Sequence, residues 1–166
     1  MADRTTNVLI LCTGNSARSI LGEALVTRLG EGRFRGFSAG SKPKGQVHPM
    51  ALQVLGDLGY ATDDFRSKSW DEFGEAGAPE MHLVITVCDN AAGETCPVLI
   101  GHPAIAHWGL DDPAAVEGAG QRAAFEKAYE ALKARVERLV ALPVHEMSDA
   151  EIRDRLKQIH IQEAGA

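Results

Sequence analysis

Val8-Leu-Ile-Leu-Cys-Thr-Gly-Asn-Ser-Ala-Arg-Ser19 is the stretch on which the fold turns. Asn7 to Cys12 is a continuous apolar run without alternation, the pattern of a strand covered on both faces and therefore of a parallel sheet. Thr13 to Arg18 is small and polar and predicts a tight loop. Ser19 stands where it can cap a helix whose apolar residues Ile20, Leu21, Ala24, Leu25 and Leu29 recur at helical spacing, with Gly30 as the stop. Strand, short polar loop and helix form the opening unit of an α/β sheet.

Further along the chain the alternation continues. Phe34 to Ser38 predicts a second strand. His48-Pro49 opens a helix carried by Ala51, Leu52, Leu55 and Leu58 and stopped by Gly59. Ser69 can cap a short helix from Trp70 to about Ala76, and His82 to Cys88 is the strongest strand signal. A long loop follows from Asp89 to about Ala104, then a fourth strand from Ile105 to Leu110, broken by Asp111-Asp112-Pro113. Gln121 to Leu142 is a long amphipathic helix ended by Pro143, and Ser148-Asp-Ala-Glu151 is a capping box for a last helix. Strands alternating with helices imply a doubly wound parallel sheet, which binds ligands beyond the carboxyl ends of its strands. Cys12, Cys88 and the Asp111-Asp112 pair all fall at that edge.

The chain has 166 residues and a mass of 17.8 kDa, the size of one domain that needs no disulfide or metal staple. It is 45% apolar, with 17 Lys and Arg against 23 Asp and Glu, a net charge of −6. That balance lacks the basic footprint of a nucleic-acid binder. An anion site on such a chain must be local, made of backbone amides and a placed arginine. No apolar run approaches the ~18–20 residues of a membrane span, and Met1 to Asn7 is polar, unlike a signal peptide. Three cysteines, an odd number, suggest thiol chemistry in a reducing, cytoplasmic compartment.

The chemistry concentrates in Cys12-Thr13-Gly14-Asn15-Ser16-Ala17-Arg18-Ser19. A loop between a buried strand and a helix N-terminus aims several backbone N–H groups at one spot. Gly14 lets the backbone bend, and Asn15 tolerates a left-handed conformation. Arg18 adds a planar fork suited to a tetrahedral oxyanion. Cys12 would be a thiolate held by the helix dipole, the amide nest and Arg18, with Ser19 able to donate to its sulfur.

This stretch resembles the phosphate loop of the low-molecular-weight protein tyrosine phosphatase superfamily, and Ser38-Ala39-Gly40 matches the segment after that family's second strand. Ile85-Thr-Val-Cys-Asp89, Cys96-Pro97 and His107-Trp-Gly-Leu-Asp-Asp-Pro-Ala114 look more like the arsenate reductases built on the same fold. The resemblance covers about residues 7 to 140. It implies a three-layer α/β domain over residues 1–142, with a four-stranded parallel sheet and helices on both faces. Residues 143–166 would form an additional C-terminal helical extension.

The resemblance also implies roles. Thr13, Gly14, Asn15, Ser16, Ala17, Arg18 and Ser19 would bind the oxyanion. Asp112, the Asp directly before Pro113, would be the general acid, needed because the departing oxygen must be protonated as its bond breaks. Asp111 reads as a turn residue. Phosphotyrosine phosphatases usually place an aromatic residue after this proline, and here it is Ala114. Cys88 and Cys96, eight positions apart, suit a relay: Cys12 attacks arsenate, Cys88 attacks Cys12 and releases arsenite, and Cys96 carries the disulfide outward. Ala91, Ala92 and Gly93 would let that segment move. Ala17 replaces a cysteine present in many relatives.

No bound cofactor is expected, only an external thiol reductant: thioredoxin, glutaredoxin with glutathione, or a mycothiol system. Asn15, Glu23 and Ser38 match a potassium site of some thioredoxin-linked reductases, near Ser67 and Ser69. A zinc set from Cys88, Cys96, His102 and His107 is the rival use of the cysteines, but its Cys-x7-Cys spacing exceeds the usual knuckle. A tyrosine phosphatase and a non-catalytic oxyanion or thiol sensor stand as alternatives to the arsenate reductase. No nucleic-acid or membrane partner is expected.

Overall fold

The computed structural model describes residues 5–87 and 104–164. Four strands, β1 (Thr6–Cys12), β2 (Phe34–Gly40), β3 (Leu83–Thr86) and β4 (Ala104–His107), form one parallel sheet in the order β2-β1-β3-β4. Central β1 pairs on both edges, with Val8 opposite Gly36 on one side and Leu83 on the other. Its residues Val8 to Leu11 are essentially without solvent contact, which explains the unbroken apolar run. Side chains alternate between two clusters. Val8, Ile10, Cys12, Leu83 and Ile85 pack with helices α1 (Arg18–Gly30), α2 (Pro49–Asp57), α3 (Gln121–Val140) and α4 (Asp149–Ala164). Leu9, Leu11 and Val84 face the other way, against Phe73 and Trp70 of a short 3-10 helix, Trp70–Gly74, and Met81.

The boundaries differ from the sequence reading for local reasons. Helix α1 starts two residues earlier than a Ser19 cap would place it. Ala17 takes the cap position with no side-chain bond, and Ser19 Oγ instead accepts from Asn15 Nδ2 at 2.8 Å. Strand β2 runs on to Gly40, whose N–H donates to the Lys68 carbonyl at 2.9 Å. Helix α2 ends at Asp57, ahead of an exposed Leu58 and a left-handed Gly59. The turn after Ser69 is 3-10 rather than α and stops at Gly74. Strand β4 ends at His107, after which Trp108 N–H and Leu110 N–H still bond to Thr86 O and Val87 O. Helix α3 ends at Val140, two residues short of the expected Leu142.

The capping box at the start of α4 forms as expected. Ser148 N–H donates to Glu151 Oε1 at 3.0 Å and Glu151 N–H to Ser148 Oγ at 3.1 Å, which holds the Glu151 carboxyl below its usual range. Helix α4 inserts Ile152, Leu156 and Ile159 into the larger core, and buried Trp108 donates through Nε1 to Leu156 O at 2.9 Å. Arg135, itself 4% exposed, donates from Nε to His160 Nδ1 at 3.2 Å. Burial, Arg135 and His107 push the His160 imidazole below its ordinary pKa, so it stays neutral and can accept that bond. Among the described residues no helix is long and apolar enough to cross a membrane.

Candidate oxyanion site

The loop after β1 is fixed by what its carbonyls bind. Thr13 O accepts from Lys42 N–H at 2.9 Å, Gly14 O from Lys44 N–H at 3.0 Å, and Ser16 O from His48 N–H at 2.8 Å. Ser67 Oγ also donates to Gly14 O, at 3.1 Å. In a trans peptide the C=O and the following N–H point in opposite directions. Tying these carbonyls therefore turns the N–H groups of Gly14, Asn15 and Ala17 away from the segment between Lys42 and His48. Asn15 takes the left-handed conformation at φ 46, as its residue type permits, and is fully buried. Its Nδ2 bonds Ser19, and its Oδ1 accepts from Lys68 N–H at 2.9 Å. Gly40 lets β2 end against this loop, since a Cβ there would lie 2.4 Å from Thr13 O.

A cavity of about 200 Å³ sits above Cys12, lined by Thr13, Gly14, Ser16, Ala17, Arg18, Lys42, Lys44 and Asp112. Cys12 forms its floor and is 6% exposed. Arg18 Nη1 donates to Leu110 O at 2.7 Å, which anchors the guanidinium to the segment after β4. Its Nη2 lies 3.8 Å from Asp112 Oδ2, and its Nε is buried with no hydrogen-bond partner among the described residues. A buried charged donor left in that state is costly unless a ligand completes it. Asp112 Oδ1 accepts from Ala114 N–H at 3.0 Å, so one carboxylate oxygen caps the turn and the other faces Arg18. Asp112 lines the cavity, whereas Asp111 is an exposed residue beside it. Cys88, Cys96 and His102 lie outside the described residues. His107 Nδ1 hydrogen-bonds Thr86 Oγ1 at 2.7 Å.

Of Asn15, Glu23 and Ser38, only Glu23 and Ser38 bond each other directly; Asn15 is linked to them through Lys68, a residue that the sequence alone did not single out. Ser38 Oγ donates to Glu23 Oε1, and Lys68 Nζ lies 3.8 Å from the same oxygen while donating to Arg66 O at 2.8 Å. The positive charge beside Glu23 thus comes from the chain's own lysine, and this donor set does not fit an added potassium ion. Burial pushes the Glu23 carboxyl up and, opposed by Glu23, pushes the Lys68 ammonium down. Desolvation therefore exceeds attraction at both ends of this loosely spaced pair. Lys68→Met removes the partner and leaves a buried carboxylate. The expected loss is about 1–3 kcal/mol of stability at neutral pH by denaturant unfolding. A carboxyl with a raised pKa is least costly when protonated. The difference from the parent protein should therefore shrink as pH falls through the raised Glu23 value, and a pH-independent loss would contradict the account.

The cavity also contains two residues that the sequence reading missed, Lys42 and Lys44. Their signal was present: two basic residues flank Pro43 directly after the carboxyl end of β2, at the sheet edge where ligands bind.

The family model for low molecular weight phosphotyrosine protein phosphatase matches residues 7–151. The chain belongs to this family. Among its relatives, the arsenate reductase of Halalkalibacterium halodurans is 32% identical over 111 residues, 67% of this chain and 76% of that one. The arsenate reductase of Bacillus licheniformis is 31% identical over 133 residues, 79% of this chain and 92% of that one. A solved arsenate reductase in its phosphate-binding state superposes with a TM-score of 0.67 at 26% identity, over 82% of this chain and 98% of the other. The four-stranded parallel α/β architecture is that of the family.

Proposed function

We propose that this protein reduces arsenate to arsenite. The observation that carries the reading is the small cavity over Cys12, lined by loop residues Thr13, Gly14, Ser16, Ala17 and Arg18, with a buried Arg18 Nε that has no partner among the described residues. Relatives 31–32% identical to this chain bear the name arsenate reductase. Cys12 Sγ attacks arsenic, and a hydroxyl leaves as water with a proton from Asp112. Cys88 then attacks Cys12 Sγ. The sulfur–arsenic bond breaks, its electron pair stays on arsenic, and arsenite leaves behind a Cys12–Cys88 disulfide. Cys96 attacks Cys88 and frees Cys12. An external thiol reduces the resulting Cys88–Cys96 bond.

Ala114 after Pro113 supplies no aromatic wall beside the cavity, which favours a small oxyanion over a phosphotyrosine side chain. The experiment is arsenite formation by the purified protein. Thioredoxin with its reductase, glutaredoxin with glutathione, and mycothiol with its redoxin are each supplied separately, beside hydrolysis of a small aryl phosphate. The expected result is arsenite with at least one donor and at most slow ester hydrolysis. Fast hydrolysis without arsenite from any donor would make the chain a phosphatase.

A further inference from the structure

Lys42 and Lys44 line the same cavity as Arg18, and nothing in the proposed reaction uses them. Both are exposed, yet their backbones are not free to wander. Each N–H is bound to a carbonyl of the oxyanion loop, Thr13 O and Gly14 O, so the two lysines move with that loop. Lys44 lies along the bare face of Gly14. A Cβ on Gly14 would come 3.2 Å from Lys44 Cε and 3.4 Å from its Cγ, closer than side chains ordinarily pack. Glycine at this position therefore makes room for the lysine stem; its backbone is not left-handed, and the unusual conformation belongs to Asn15. Among the described residues neither ammonium has a carboxylate partner. Among the described residues three cations, Arg18, Lys42 and Lys44, and one carboxylate, Asp112, thus line the cavity, on a chain whose net charge is −6.

We infer that Lys42 and Lys44 form a charge-selecting collar that recruits doubly charged tetrahedral oxyanions and holds them over Cys12. This rests on the reading of the cavity as an oxyanion site. Arg18 and the amide loop supply directional bonds once the anion is seated. The lysines supply point charges at the mouth, which attract by charge without demanding a geometry. The long-range field of an acidic protein would otherwise repel a dianion, so a local reversal at the mouth sets its capture. The collar discriminates by charge: dianions such as sulfate, phosphate and arsenate are favoured over singly charged or neutral molecules of similar size.

The test reads Cys12 directly and needs no arsenate turnover. Alkylation of Cys12 by anionic iodoacetate and by neutral iodoacetamide is followed by peptide mass spectrometry in the full chain, with sulfate as the competing dianion. In K42Q/K44Q the ratio of the iodoacetate rate to the iodoacetamide rate should fall about fivefold to tenfold. The sulfate concentration giving half protection should rise by a similar factor. Both differences should shrink at 1 M salt, where charges are screened beyond about 3 Å. K42R/K44R should restore both values, which a lost packing contact would not explain. An unchanged ratio in K42Q/K44Q, or a change that persists at high salt, overturns the collar. If sulfate protects Cys12 as described while arsenate is never reduced, the collar stands and the reductase reading falls.

Discussion

With Cys12 replaced by serine, arsenite formation should fall by at least about four orders of magnitude, the scale on which removing a nucleophile disables an enzyme. A serine oxygen is a far weaker nucleophile near neutral pH and cannot join a disulfide relay, so no slower version of the same route survives. Phosphate or sulfate binding should persist in this variant, because the amides of Gly14, Asn15 and Ala17 and the Arg18 fork do not depend on sulfur. Calorimetric titration with phosphate therefore separates lost chemistry from lost folding. Arg18→Lys should cost about 10²–10³ in rate, since one guanidinium here bonds Leu110 O with Nη1 while keeping Nε and Nη2 for the site. A single ammonium cannot serve both places. Arsenite formation by Cys12→Ser at more than a few per cent of the parent rate would remove Cys12 from the mechanism.

What could be read from the chain alone, and what could not, follows from the range of the interactions. The β1 strand, the loop and α1 were legible because their signals are local: unbroken apolar residues, a polar turn, then helical spacing. The capping box at Ser148 was legible for the same reason. Ser19 was misread as a cap because its true partner, Asn15 Nδ2, is a side chain whose direction depends on the left-handed turn before it. The left-handed turn falls on Asn15, as its residue type allows, whereas the space that Gly14 leaves for Lys44, thirty positions away, has no local signal. Lys68 lay between two serines that the family comparison drew attention to, yet the lysine pairs with Glu23. Lys42 and Lys44 announce themselves only as basic residues after a strand; that they join this cavity depends on backbone bonds to Thr13 O and Gly14 O, some thirty positions away. Errors thus gather where one residue's role is set by a distant segment, while the loop's own chemistry, carried by adjacent residues, was readable.

The same distinction bears on the two outer cysteines, whose order in the relay is the second large effect. Val87, the residue before Cys88 in the sequence, donates its N–H to the carbonyl of Leu11, the neighbour of Cys12. Cys96 is eight positions beyond Cys88. If Cys88 resolves first, Cys88→Ser should stop after one attack on arsenate, with no arsenite released and no disulfide formed. Cys96→Ser should release one arsenite per chain and halt as a Cys12–Cys88 disulfide. Mass spectrometry after a single turnover without external reductant distinguishes these species, since a disulfide lowers the mass by about two hydrogens and links two peptides. Multiple-turnover rates in both variants should fall to a few per cent or less. Full multiple-turnover reduction by both variants with glutathione present would overturn the intramolecular relay. An external thiol would then be attacking the Cys12 adduct directly, which requires the cavity mouth to admit a bulky, negatively charged thiol past Asp112. In that event K42Q/K44Q should slow glutathione-driven turnover as well as oxyanion capture, because one collar would be drawing in both anions.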